Sequence, residues 1–136
     1  MAGPMPDDYE IAGLAVPESI NELHDLLERV AADHPHLDPG DLMMFETAVI
    51  EVAGNVVEHG RPKGKVVYRF TLGVRPDRIV AHMREASDAI PQFSQDSADQ
   101  LDESGRGLAL SRAVLDEMSY RRADGENIWT LVRNLA

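Results

Sequence analysis

Residues 45–60 read Phe45-Glu46-Thr47-Ala48-Val49-Ile50-Glu51-Val52-Ala53-Gly54-Asn55-Val56-Val57-Glu58-His59-Gly60. Phe45, Val49, Val52 and Val56, with Leu42 upstream, recur at the spacing of one buried helix face. The spacing predicts a helix that opens at Asp38-Pro39-Gly40-Asp41, with Asp38 or Asp41 as its cap. It stops at Gly60, ahead of Pro62. Glu51, Asn55 and His59 lie four residues apart and so form a second stripe beside the apolar one.

That polar stripe has two readings. It is a solvated helix face, or it is a half-sheltered, oxygen-rich site for a metal or for acid–base work. Mg²⁺ takes hard oxygen ligands and keeps several waters, so one Asn carbonyl with substrate phosphates would hold it. A carboxylate beside it would accept a proton from an attacking hydroxyl or water. His59, at the helix end, fits the last carbonyls better than a ligand role.

Upstream, Tyr9 to Val16 reads as an edge strand and Pro17-Glu18-Ser19 opens a helix. Its stripe is Ile20, Leu23, Leu27 and Val30, and Pro35 ends it. His34 and His36, near Asp33 and Asp38, read as a polar loop and not as a tetrahedral metal set. Downstream, Val66–Val74 alternates as a strand, Arg75-Pro76-Asp77 turns, and Ile79–Met83 completes a hairpin. Residues 86–104 show no periodicity and have the length of a functional lid. Leu108 to about Glu117 reads as a third helix. Met118–Arg122 and Ile128–Leu135 read as strands joined at Asp124-Gly125. The single Trp129 packs the sheet face.

Ser104-Gly105-Arg106-Gly107-Leu108 joins the lid to the third helix. Exposed N–H groups at a helix start attract phosphate, and Arg106 adds positive charge. A turn with no ligand is the other reading. Strands and helices segregate, which predicts an α+β sandwich with helices on one face of a mixed, mostly antiparallel sheet.

Composition sets limits on function. A chain of 136 residues makes one domain, expected at 9–136 behind a flexible 1–8 segment. The net charge of −11 argues against nucleic acid or an anionic membrane as partner and is compatible with a basic protein surface. With no cysteine, thiolate chemistry and Cys-zinc sites are excluded. No membrane span or signal peptide is visible, so a cytoplasmic protein is expected.

In this order and spacing the blocks resemble the RsbW-like anti-sigma-factor serine/threonine kinases of the GHKL (histidine-kinase-like) ATPase superfamily. Residues 45–60 look like the N box, residues 80–91 fall at the adenine-binding G1 box, and residues 104–110 match the G2 box. The resemblance runs from about Tyr9 to the C-terminus. It implies a Bergerat fold that binds ATP and Mg²⁺, with Asn55 on the metal and Glu51 as general base. Glu85, Ser87 and Ala89 would stand at the adenine, Gly105, Arg106, Gly107 and Leu108 at the phosphates, and 86–104 would be the ATP lid. It also implies partner switching in transcriptional stress response: a sigma factor is sequestered, and a Ser/Thr of a STAS-type anti-sigma antagonist is phosphorylated. Family members commonly form homodimers.

The G1 pattern Asp-x-Gly-x-Gly is altered here to Glu85, Ser87 and Ala89. Glu85 keeps the carboxylate with one more methylene, and losing the adenine bond would cost roughly 1–3 kcal/mol. Ser87 and Ala89 add Cβ atoms that positive φ would strain. Asp88 in a shifted register is the less favoured substitute for the family Asp. The departures predict weakened ATP binding. They keep open a second function, a catalytically weak or inactive partner-binding module. Gly54 within a helix suggests close approach of a ligand or another chain. Arg112 reads as a surface residue. A histidine-kinase catalytic domain fits less well, since no dimerisation helices are seen.

Overall fold

A computed structural model describes residues 8–88, 111 and 113–135. Its elements are β1 (Asp8–Leu14), α1 (Pro17–Asp33), α2 (Pro39–His59), β2 (Val67–Val74), β3 (Arg78–Glu85), β4 (Glu117–Ala123) and β5 (Glu126–Asn134). Ser111, Ala113 and Val114 are helical. The third helix therefore ends before Glu117, which opens β4 instead of closing a helix.

The sheet order is β1-β2-β3-β5-β4, and every described pairing is antiparallel. β1 is an edge strand, as its sequence suggests, and begins one residue earlier, at Asp8. The β2–β3 hairpin pairs Val74 with Ile79. Asp124 and Gly125 turn the β4–β5 hairpin with φ of 55° and 78°, the left-handed pair that such a tight turn needs.

Register decides which side chains share a face. Tyr68, Phe70, Leu72 and Val74 alternate inward on β2 and pair with Glu85, Met83, Ala81 and Ile79 of β3. Asn127, Trp129 and Leu131 of β5 continue that row, facing Arg122, Tyr120 and Met118 of β4. Both helices contribute to the core that covers this face: Leu23, Leu26, Leu27 and Val30 from α1, Phe45, Val49, Val52 and Val56 from α2. Leu26 joins the α1 stripe and Ile20 is only partly buried.

The caps follow the local chemistry. The Asp38 carboxylate accepts from the Gly40 N–H at 3.1 Å, and Pro39 begins α2 where no intrahelical N–H is required. The Ser19 hydroxyl accepts from the Val16 N–H at 3.1 Å and donates to the Leu14 carbonyl at 2.6 Å, joining β1 to α1. Arg133 of β5 reaches Asp41 in the first turn of α2 through Nε at 2.9 Å and Nη2 at 2.8 Å. Its Nη1 donates to the Val114 carbonyl, so one guanidinium ties β5, α2 and the segment before β4. No helix among the described residues is long and apolar enough to cross a membrane.

Candidate functional site

α2 is the central element because it is sheltered on two sides. Ala53, Val56 and Val57 meet Ala15, Ser19 and Leu23 of the β1–α1 segment around a small void that Tyr68 and Met83 also line. Asn55 lies roughly 200° around the helix from Ala53. It therefore belongs to the side of α2 turned away from α1. Asn55 is buried, and its Nδ2 donates to the Glu51 backbone carbonyl at 2.8 Å. That bond orients the carboxamide and leaves Oδ1 uncommitted among the described residues. Glu51, one turn earlier, is partly exposed. The two expected residues thus share one stripe. His59 ends α2, its Nε2 3.9 Å from the Glu58 carboxylate.

The second cluster is built at the end of β3. Glu85 is 0 % exposed, as is Asn127 of β5 beside it. The Asn127 amide donates to Glu85 Oε1 at 2.9 Å, to Ser87 Oγ at 2.9 Å and to the Asp88 carbonyl at 3.1 Å. The Ser87 hydroxyl also donates to Glu85 Oε1. The indole N–H of Trp129 donates to Oε2 at 2.9 Å. All three neighbours donate, so the carboxyl serves as a buried acceptor on both oxygens.

A further layer holds this arrangement. Asn127 Oδ1 accepts from the Tyr120 hydroxyl at 2.6 Å and from Arg122 Nη1 at 2.9 Å. Arg122 can only donate, which fixes the orientation of the amide. The same Nη1 donates to the Ser87 carbonyl at 2.8 Å, and the Asp88 N–H donates to the Arg61 carbonyl at 3.2 Å. Tyr120 and Trp129 rings lie 4.9 Å apart at 51°. The first residues of the expected lid, 86–88, are therefore pinned to β4, β5 and the loop after α2.

These positions bear on the expected nucleotide site in three ways. Asn55 and Glu51 are placed as expected on one helix stripe. Glu85 stands where the adenine acceptor is expected, but its carboxylate is already bonded by Ser87, Asn127 and Trp129 and has no exposed surface. Among the described residues, Glu85 therefore offers no exposed oxygen to an adenine amine. Ser87 is unstrained, since Asp124 is the one described non-glycine residue with positive φ. The expected strain there is absent, and its hydroxyl instead adds a donor. Asp88 does not replace Glu85, because it is exposed and engages through its backbone.

Ala89, Gly105, Arg106, Gly107, Leu108 and Arg112 lie outside the described residues. At Gly54, an added Cβ would meet nothing within 4 Å, so no close approach explains this glycine among the described residues. His34 is buried edge-on between Tyr9 and His36, and no group of three metal-ligating residues occurs among the described residues.

Sequence reading missed Asn127, Arg122 and Tyr120. Their signal was parity: Asn127 alternates with Trp129 and Leu131, so a polar residue occupies a core-facing register and needs partners. Tyr68 was also missed as a polar residue. Its hydroxyl is buried with no hydrogen-bond partner among the described residues. Burial pushes this phenol above its ordinary value of 10.0, with the nearby Ser19 hydroxyl working against the shift and Glu22 adding to it.

The architecture has recognisable counterparts. Among solved structures, the chain is similar to the catalytic domain of the histidine kinase ThkA in a nucleotide-free form. The identity is 12%, the TM-score is 0.60, and the likeness covers 96% of this chain and 97% of that one. At that identity the likeness establishes the fold. No curated protein matches the chain. A family model described as the histidine kinase-like ATPase domain matches residues 14–133, which span β2 to β5, both helices and the Glu85 cluster. The chain belongs to the histidine kinase-like ATPase domain family, whose name implies ATP binding.

Proposed function

We propose that this domain is an anti-sigma factor of the RsbW-like kind. It sequesters a sigma factor in the cytoplasm and releases it when a STAS-type antagonist competes. The observation that favours binding over catalysis is the Glu85 carboxylate. The acceptor expected to read adenine is engaged by Ser87, Asn127 and Trp129 inside the domain. A net charge of −11 suits a basic protein surface and disfavours nucleic acid. A homodimer belongs to the same proposal.

The test is capture. The tagged chain is co-expressed with candidate sigma factors, and a STAS-domain antagonist is then added. Retention of one sigma factor, followed by its release, is expected. Failure to retain any of them overturns the reading. Sedimentation of the purified chain reports the dimer.

A second reading is supported by Asn55, whose Oδ1 is uncommitted among the described residues and which lies one turn from Glu51. In it the domain is a Mg-ATP-dependent serine/threonine kinase acting on the antagonist. Incubation with γ-labelled ATP separates the two, since label on the antagonist appears under the second reading alone. Loss of that label in Glu51→Ala, with the fold intact, would support Glu51 as the base.

A further inference from the structure

We infer that the base end of this nucleotide site is closed from within, so that Glu85 reads no base and the domain does not distinguish adenine from guanine. The inference rests on placing the base end of the site at the end of β3, as the resemblance of residues 80–91 to the G1 box implies. Glu85 Oε1 accepts from Ser87 and Asn127, and Oε2 accepts from Trp129. Glu85 is 0 % exposed, so a base amine could reach its carboxylate, the second lone pair of Oε2 included, only by moving one of these neighbours aside.

Each displacement strands a buried group. Trp129 is 2 % exposed and packs against Tyr120, so its N–H would lose the Glu85 acceptor at a buried position. Asn127 cannot turn its amide away, because Tyr120 and Arg122 hold its oxygen. The backbone cannot yield easily either. The Ser87 carbonyl is bonded by Arg122, the Asp88 carbonyl by Asn127, and the Asp88 N–H by the Arg61 carbonyl. Ser87 contributes a hydroxyl at a position where the family pattern has glycine. Adenine and guanine differ in whether C6 carries a donor amine or an acceptor oxygen. A carboxylate that read the base would separate them, and a closed one would not.

The single tryptophan makes the lock observable, because the ¹⁵N-labelled chain gives one indole N–H signal. Calorimetric titrations with Mg-ATP and with Mg-GTP run beside it. The expected result is an indole signal that exchanges slowly and does not move at millimolar Mg-ATP. The two nucleotides should behave alike within about twofold, whether both fail to bind or both bind through their phosphates. ATP binding more than about tenfold tighter than GTP, with a displaced indole signal, would overturn the inference. Neither readout uses a protein partner, so failure of sigma-factor capture strikes the proposed function alone.

Discussion

The indole of Trp129 and the carboxylate of Glu85 meet at 2.9 Å on the covered face of the sheet, one strand apart and 44 residues apart in sequence. The bond gives the indole N–H and Glu85 Oε2 a partner at a buried position. Trp129→Phe keeps the aromatic bulk and removes the donor. We expect it to lower the unfolding free energy by about 1–3 kcal/mol, because a buried carboxylate oxygen loses its bond. Urea unfolding measures this, and an unchanged midpoint would show that the bond contributes nothing.

Tyr68 presents the opposite case, a buried hydroxyl with no hydrogen-bond partner among the described residues. Tyr68→Phe removes the unsatisfied group and keeps the ring, so stability should hold or rise by up to about 1–2 kcal/mol. The phenol also titrates above its ordinary value of 10.0 in the folded chain. Above that pH the unfolded chain loses its proton first and the folded chain retains it. The folded state then binds more protons, and stability falls as pH rises through that range. The difference between wild type and Tyr68→Phe should therefore widen in favour of the variant above about pH 10, read from denaturant midpoints across pH.

Arg133 and Asp41 form a largely buried pair that joins β5 to the first turn of α2. Asp41→Ala leaves the guanidinium beside a hole and removes an acidic residue from a helix start. A loss of about 2–4 kcal/mol is expected, less than for a fully enclosed pair. Most of it should persist in molar salt, since burial limits screening. Chemical unfolding at low and high salt decides; a loss that vanishes in salt would mark the pair as a surface contact.

Gly54 sits inside α2 with open space where a Cβ would point. Gly54→Ala should therefore stabilise the chain by about 0.5–1 kcal/mol through backbone entropy alone. A thermal midpoint that drops instead would reveal a close neighbour at this position, such as a second protein chain.

The sequence by itself determined the elements and the layer. The apolar stripe of Phe45, Val49, Val52 and Val56 faces the core, and Tyr68, Phe70, Leu72 and Val74 alternate inward. Helix and strand periods are local properties, readable from spacing, and so are the stops at Gly60 and at Asp124-Gly125. The same spacing set Glu51 and Asn55 one turn apart. Only the tertiary structure decided the fate of Glu85. Its bonding partners Asn127 and Trp129 arrive through the β3–β5 register, which places residues more than forty positions apart side by side. A carboxylate in a loop-adjacent strand end reads equally well as a ligand acceptor or as a buried structural group. Which it is depends on whether donors from distant strands reach it, and spacing along the chain carries no record of that.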